Sequence, residues 1–176
     1  KDEPWVARGT AVLFHLGSLV LLIALIQFWL GAQAGLVGAI LMAVLPMGAF
    51  FGRMPGYEPF GLFFVLAQLL SWSYYSKTGS RYSLLALGLS VICGGFIDWA
   101  PLFFSMALFF AEIWAIKCGR GRVPAAIVIG ACGIFVVGFD LTHMAWAHGG
   151  SLSALVQVLA NDKIVGHHKF TLAQFI

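Results

Sequence analysis

The longest uncharged stretch of this chain runs from Gly9 to Gly52 and contains no Asp, Glu, Lys or Arg; its one titratable side chain is His15. A helical bilayer crossing takes about 20 residues, so this stretch is long enough for two crossings. A soluble helical core of this length would need polar helix faces, and the stretch shows none. The whole chain is 61% hydrophobic and 10% charged, whereas about 25% of the residues in a soluble domain are charged. We therefore expect an all-α integral membrane protein.

Turns that are rich in glycine, proline or charge divide the chain into six apolar segments. These segments predict a polytopic bundle of transmembrane helices over residues 1–150. The expected segments are 11–30, 36–51, 59–75, 83–97, 102–116 and 124–146. The remaining residues, 151–176, are expected to form an outer-face segment, in which 151–159 have the apolar spacing of a short amphipathic helix.

Two local patterns bear on how the segments pack. Gly94 and Gly95, near the end of the fourth segment, would permit close contact between helices. Trp72, Tyr74 and Tyr75 close the third segment. Because Trp and Tyr concentrate where a membrane meets water, these three are expected to form an aromatic belt.

The connecting turns alternate in charge along the chain. Turns 76–82 and 117–123 contain no carboxylate, and their cations are Lys77, Arg81, Lys117, Arg120 and Arg122. The turns on the other side carry Glu58 and Asp98. An excess of Lys and Arg in short loops marks the cytoplasmic side of a membrane, which places Glu58 and Asp98 on the non-cytoplasmic side. Since the cations lie in turns and not along a stripe or arm, the net charge of +3 indicates no nucleic-acid partner.

Ionisable side chains near the outer ends of the segments are the first candidates for function, because charges at membrane depth are costly. Glu58 is either a base or metal ligand at the mouth of a cavity, or a carboxylate that the helix dipole favours. Asp98 is either a functional carboxylate or a turn aspartate before the interfacial Trp99. Asp140 and His143 are three apart on one helical face, and they either support a metal or satisfy one another.

Three other groups carry weaker patterns. Glu112 lies nearer the cytoplasmic side and is expected to snorkel or to pair with Lys117. His167 and His168 are candidate metal ligands, although adjacent residues point in different directions on a regular element. The three cysteines have no spacing typical of a metal or redox site.

Several short motifs resemble those of the polytopic GT-C glycosyltransferases, in the branch related to protein O-mannosyltransferases and the aminoarabinose transferase of lipid A. In that branch an Arg opens the second membrane helix, the third helix ends in Pro, and an outer loop with Gly-Arg-Met and an acid before Pro precedes a Phe-rich helix. A Thr-Asp-Trp-Pro turn follows later. The matching residues are Arg8, Pro46, Gly52-Arg53-Met54, Glu58-Pro59, Leu62-Phe63-Phe64, Gly95–Pro101, and His143–Trp146 followed by Gly149-Gly150.

The resemblance implies transfer of a sugar from a polyprenyl-phosphate donor to an acceptor, in a bacterial inner membrane or an archaeal plasma membrane. It implies catalytic roles for Glu58 and Asp98. It also implies a substrate-binding group comprising Arg53, Tyr57, Trp99, Lys163 and Lys169. A divalent metal ion of unknown identity, if used, would be held by Glu58, His143, His167 and His168.

One feature of that family is missing and leaves an alternative open. Its first outer loop carries an essential Asp, and neither Asp2 nor Glu3 matches that position. On this interpretation the chain is a middle slice, helices two to about seven, and needs the remainder of a longer chain for activity. The alternative is a polytopic transporter, or a non-catalytic subunit of a membrane complex, in which the same acids line a substrate path. A second copy of the six-segment pattern in the full protein would favour the transporter.

Overall fold

A computed structural model of the chain describes residues 4–44 and 58–147, and all the regular structure in those two ranges is α-helix. This confirms the all-α prediction. The helices are α1 (Pro4–Leu30), α2 (Ala32–Val44), α3 (Glu58–Thr78), α4 (Arg81–Ile97), α5 (Trp99–Lys117) and α6 (Val123–Ala147). The expected end of the second segment, at residue 51, and the whole outer-face segment lie outside the described residues.

Three of these helices are long and apolar enough to cross a membrane. They contain the candidate spans Arg8–Leu30, Trp99–Lys117 and Val123–His143. Two others, α2 and α4, are apolar. Helix α4 has 17 residues, or about 26 Å of length, against a hydrocarbon core of about 30 Å, and the described part of α2 has 13 residues. In α3 the C-terminal half carries several Ser, Tyr and Lys side chains, which lowers its hydropathy. Six membrane crossings therefore stay a prediction.

The chain separates into two compact units, Lys1–Val136 and Val137–Ile176, and each is described by itself. In the first unit α3 is the central helix, because it packs against α1, α4 and α5, while α2 packs on α1. The described part of the second unit is the last part of α6.

The core of the first unit is apolar and lies where α4, α5 and the first half of α6 meet. Leu87 and Val91 lie one turn apart on α4 and contact Leu108 and Ile129, and all four are buried. A second apolar contact joins α1 to α3, where the Phe14 ring packs against three phenylalanine rings of α3, those of Phe60, Phe63 and Phe64. Burial of side chains at these contacts fixes which faces of the helices meet.

Two glycines of α4 let its neighbours approach closely, as the sequence predicts. A Cβ at Gly94 would lie 2.8 Å from the Cβ atoms of both Phe64 in α3 and Pro101 in α5. A Cβ at Gly95 would lie 2.8 Å from Cγ1 of Val136 in α6. Small residues at such contacts are typical of helix packing in membranes.

Candidate functional site

The turns with opposite charge lie at opposite ends of the first unit. In the α3–α4 turn, Gly79 lies against the guanidinium of Arg122 from the α5–α6 turn, so that an added Cβ at Gly79 would collide with it. At the other end, Asp98 reaches the first turn of α3, where a Cβ at Gly61 would lie 3.2 Å from Asp98 Oδ2. The basic turns are thereby separated from Asp98 and from Glu58, the first residue of α3.

Asp98 is the single residue that connects α4 to α5, and its own groups close both helix ends. Its backbone is extended (φ −156°, ψ 154°), and its N–H donates to the Gly94 carbonyl at 3.1 Å. Its Oδ1 accepts a 2.7 Å hydrogen bond from the Trp99 N–H. A carboxylate at this N-cap position satisfies one of the unpaired N–H groups of α5 and is stabilised by the helix dipole. The backbone N–H and Oδ1 of Asp98 therefore have the structural role expected of a turn aspartate. Its Oδ2 lies beside Gly61.

Glu58 begins the helical turn of α3 that Asp98 Oδ2 approaches at Gly61. Gly61 follows Glu58 by three residues, which is about 4.5 Å along the axis of α3 and on the same side of the helix. Glu58 is exposed and Asp98 is half-buried. Two carboxylates at one end of the helices can accept protons or hydrogen bonds from the same ligand, with Asp98 held in place by Trp99.

The structure also places two of the other predicted residues, Trp99 and His143. Trp99 is exposed beside Asp98, and its ring centroid lies 6.3 Å from that of Phe103. His143 is exposed in the second unit, where its ring stacks on Phe139 with centroids 6.4 Å apart and planes 11° apart. Within the described turns of α6 no hydrogen bond joins His143 to Asp140.

The remaining predicted site residues lie outside the described residues. They are Arg53, Tyr57, Lys163, His167, His168 and Lys169. In residues 4–44 and 58–147, no group of three or more His, Cys, Asp or Glu side chains is arranged to hold a metal ion. The described residues alone therefore do not supply a ligand set, and the metal site stays a prediction.

Glu112 lies in an arrangement that the sequence does not reveal. Its side chain is only 2% exposed, and its expected partner Lys117 is not the one it contacts. Instead Oε2 accepts a 2.7 Å hydrogen bond from Trp72 Nε1, and Oε1 accepts a 2.5 Å bond from the Arg122 backbone N–H. Tyr75 is also buried, with the Arg122 guanidinium 5.4 Å from its ring centroid. Trp72 and Tyr75, two of the three residues expected in the aromatic belt, therefore contact other parts of the protein. Glu112 thus ties α3 and α5 to the start of α6.

A second buried polar cluster, also missed from the sequence, lies between the two ends. Gln68 of α3 is fully buried, and its Nε2 donates to the carbonyls of Ser90 at 3.3 Å and Pro101 at 3.4 Å. Its Oε1 accepts a 3.1 Å bond from the Ser105 hydroxyl. Across the part of the chain that the structure describes, no buried side-chain nitrogen or oxygen lacks a hydrogen-bond partner. The cluster therefore joins three helices and uses its polar groups internally.

Comparison with known proteins adds no family to this description. No family model, no curated protein and no solved structure matches the chain. Its function is therefore inferred from its own residues and their geometry.

Proposed function

We propose that the chain is part of an integral membrane glycosyltransferase, which moves a sugar from a polyprenyl-phosphate donor to an acceptor on the non-cytoplasmic face. The observation that carries this proposal is the position of the Asp98 carboxylate against the first turn of α3, which Glu58 opens. Both carboxylates also lie in the motifs that resemble GT-C enzymes, Gly52–Pro59 and Gly95–Pro101. The motif resemblance and the spatial juxtaposition are separate arguments for the same pair.

The proposed transfer exchanges one bond at the anomeric carbon of the sugar. Glu58 accepts the proton of the acceptor hydroxyl or amine, whose oxygen or nitrogen then bonds to that carbon. The bond from the anomeric carbon to the phosphate oxygen breaks, and the lipid phosphate leaves with the electron pair. Asp98, held by the Trp99 N–H, orients the acceptor through Oδ2, and Trp99 and Tyr57 contact the substrate. The cations proposed to hold the phosphate are Arg53, Lys163 and Lys169, and the divalent metal ion stays a prediction.

Membrane placement is supported by the three helices that are long and apolar enough to cross a bilayer. Sidedness is proposed from the loop charges. The end with Gly79 and Arg122 is assigned to the cytoplasm, because short loops rich in Lys and Arg stay on that side. The end with Glu58 and Asp98 is then non-cytoplasmic, where polyprenyl-phosphate sugars would be used.

Removing the charge of either carboxylate tests the catalytic proposal. In membranes that contain the full-length protein, Glu58→Gln is expected to lower transfer from a labelled polyprenyl-phosphate sugar by about 10²-fold or more, because glutamine keeps the shape and cannot act as the base. Asp98→Asn should also lower the rate, while keeping the α5 cap, since Asn and Asp are equivalent at that position. The measurement is label transferred per amount of folded protein.

The contrasting variant is Asp98→Ala, which removes both charge and cap and should also reduce the amount of folded protein. Full transfer activity in Glu58→Gln and Asp98→Asn would show that both carboxylates only serve helix ends. If the unmodified protein moved a solute across the membrane of vesicles, and neither it nor any variant transferred sugar, the transporter hypothesis would be supported instead.

A separate experiment tests the sidedness. Cys118 is exposed in a basic turn, and Ala100 is exposed beside Asp98. In a variant of the full-length protein without Cys93 and Cys132, we expect Cys118 to be shielded in intact cells from a thiol reagent that cannot cross membranes. With Cys118 replaced by serine, Ala100→Cys should react. Labelling of Cys118 and protection of the cysteine at position 100 would reverse the orientation and remove the outer-face site.

A further inference from the structure

We propose that the basic end of the first unit binds the phosphate-bearing headgroups of anionic phospholipids in the adjacent leaflet. The surface, here called the basic rim, comprises the side chains of Arg81, Lys117 and Arg120. The proposal depends on the membrane placement given above and is independent of any sugar transfer.

Two of the five cations at this end are used within the protein. The Lys77 ammonium donates to the Phe28 carbonyl at 3.4 Å and lies 4.1 and 4.7 Å from the ring centroids of Phe28 and Trp29. The Arg122 guanidinium packs over Tyr75 and against Gly79. These contacts tie the C-terminal end of α1 and the α5–α6 turn to α3, so neither cation is available in full to an external anion.

The three cations of the basic rim are in a different situation. Their side chains are exposed, and among the described residues none of them has a hydrogen bond or an ion pair. Glu112 is the acid nearest in sequence to this end, and both of its oxygens are bonded to Trp72 and Arg122. The rim therefore presents uncompensated positive charge.

The three cations differ in how they interact with the dipoles of the neighbouring helices. Lys117 is in the last turn of α5, where a positive charge is stabilised by the helix dipole. Arg81 is the first residue of α4, where the same dipole opposes a positive charge. Arg120 lies in the turn between α5 and α6 and belongs to neither helix. An external anion would compensate both Arg81 and Arg120.

Two aromatic side chains indicate that this anion is a lipid headgroup. Tyr82 follows Arg81 and is 85% exposed, and Trp114 lies one turn before Lys117 and is 71% exposed. Tyr and Trp with an apolar ring and a polar edge are enriched at the headgroup level of membranes. The apolar span Trp99–Lys117 ends at the rim, which would place the cations where the phosphates of a bilayer lie. Each Lys or Arg near an anionic membrane surface strengthens the attraction roughly fivefold.

Native mass spectrometry of the full-length protein tests the proposal with two lipids of the same acyl chains, phosphatidylglycerol and phosphatidylcholine. At equal lipid concentrations we expect more bound phosphatidylglycerol than phosphatidylcholine. Arg81→Gln and Arg120→Gln should each lower that preference roughly fivefold, while Arg120→Lys should keep most of it. The matched control is Lys77→Gln, which removes one charge at the same end from a cation that is already held by Phe28 and Trp29, and this variant should keep most of the preference.

Four outcomes would overturn the proposal. Equal retention of the two lipids by the unmodified protein would show that the rim has no preference for anionic headgroups. An equal loss in Lys77→Gln and Arg120→Gln would show that net charge, and not the rim, sets the preference. Displacement of phosphatidylglycerol by millimolar inorganic phosphate would identify a site for a soluble anion. Absence of both lipids from the protein would contradict the membrane placement itself, and loss of sugar transfer would leave the lipid result unaffected.

Discussion

Replacing Gly94 by valine is expected to lower the stability of the protein by about 3 kcal/mol, the upper part of the range for overpacked cores. The added Cβ would lie 2.8 Å from the Cβ atoms of Phe64 and Pro101. Both of those atoms are attached directly to backbone, so they cannot rotate away as the tip of a long side chain could. Relief requires α3 and α5 to move away from α4, which would also stretch the hydrogen bonds of Gln68. The measurement is detergent-induced unfolding of the purified full-length protein.

Gly133 is the matched control for that substitution. It lies within α6, and a Cβ built there has nothing within 4 Å. Gly133→Val makes the same chemical change and the same change in helix propensity, which is a few tenths of a kcal/mol, without a collision. We expect a stability change within about 0.5 kcal/mol, as for other unconstrained surface positions. Similar losses in the two variants would mean that the close approach of the helices at Gly94 does not matter.

The second large effect is expected at Glu112. Glu112→Ala removes the acceptor of both the Trp72 Nε1–H and the Arg122 N–H. Leaving a buried donor unpaired costs about 1–3 kcal/mol in soluble proteins, whereas hydrogen bonds within membranes average about 0.6 kcal/mol. Because Glu112 is close to the end of its helix and accepts two bonds, we expect a loss of about 2–3 kcal/mol. Glu112→Gln keeps one acceptor oxygen and should lose about half as much.

A double-mutant cycle separates the Trp72 bond from other effects. Trp72→Phe removes the hydrogen-bond donor, so a change at Glu112 no longer leaves that donor unpaired. The double variant should therefore lose clearly less stability than the sum of the losses in the two single variants. Trp114→Phe is the control, because Trp114 lies only two residues along α5 from Glu112 but is exposed and has no hydrogen bond from its ring among the described residues. Additive losses for Glu112 and Trp72 would contradict a direct bond between them.

The sequence predicts the helices well because each boundary has a local cause. The fourth expected segment, 83–97, matches α4 to within two residues at its start and ends at the same residue, since Asp98 interrupts the apolar run and caps the next helix. The start of α1 at Pro4 is earlier than expected, because Arg8, Gly9 and Thr10 interrupt the apolar pattern before residue 11. Membrane crossing depends on length and polarity together, which is why the 17 residues of α4 are too few to match the three clear spans.

The candidate site could be predicted in part. Alternating loop charges place Glu58 and Asp98 at one end, but only the packed helices show that Asp98 lies beside Gly61. The partners of Gln68 and Glu112 could not be predicted at all. The side-chain contacts of Gln68 with Ser90 and of Glu112 with Trp72 join residues 22 and 40 positions apart, and each depends on how a helix is rotated about its axis relative to its neighbours. No local pattern in the chain encodes it.

The single-residue connection at Asp98 has a consequence for how this chain can change in length. An α-helix turns by about 100° per residue, so one residue inserted into α5 just after Trp99 would rotate the rest of that helix by this angle relative to α4. The rotation would carry Ser105 away from Gln68 and Glu112 away from Trp72 together, although the two contacts lie about two turns apart on α5. A longer loop can accommodate an inserted residue by changing its path, whereas a connection of one residue cannot. The spacing between α4 and α5 is therefore fixed more strictly than the identity of most residues that flank it.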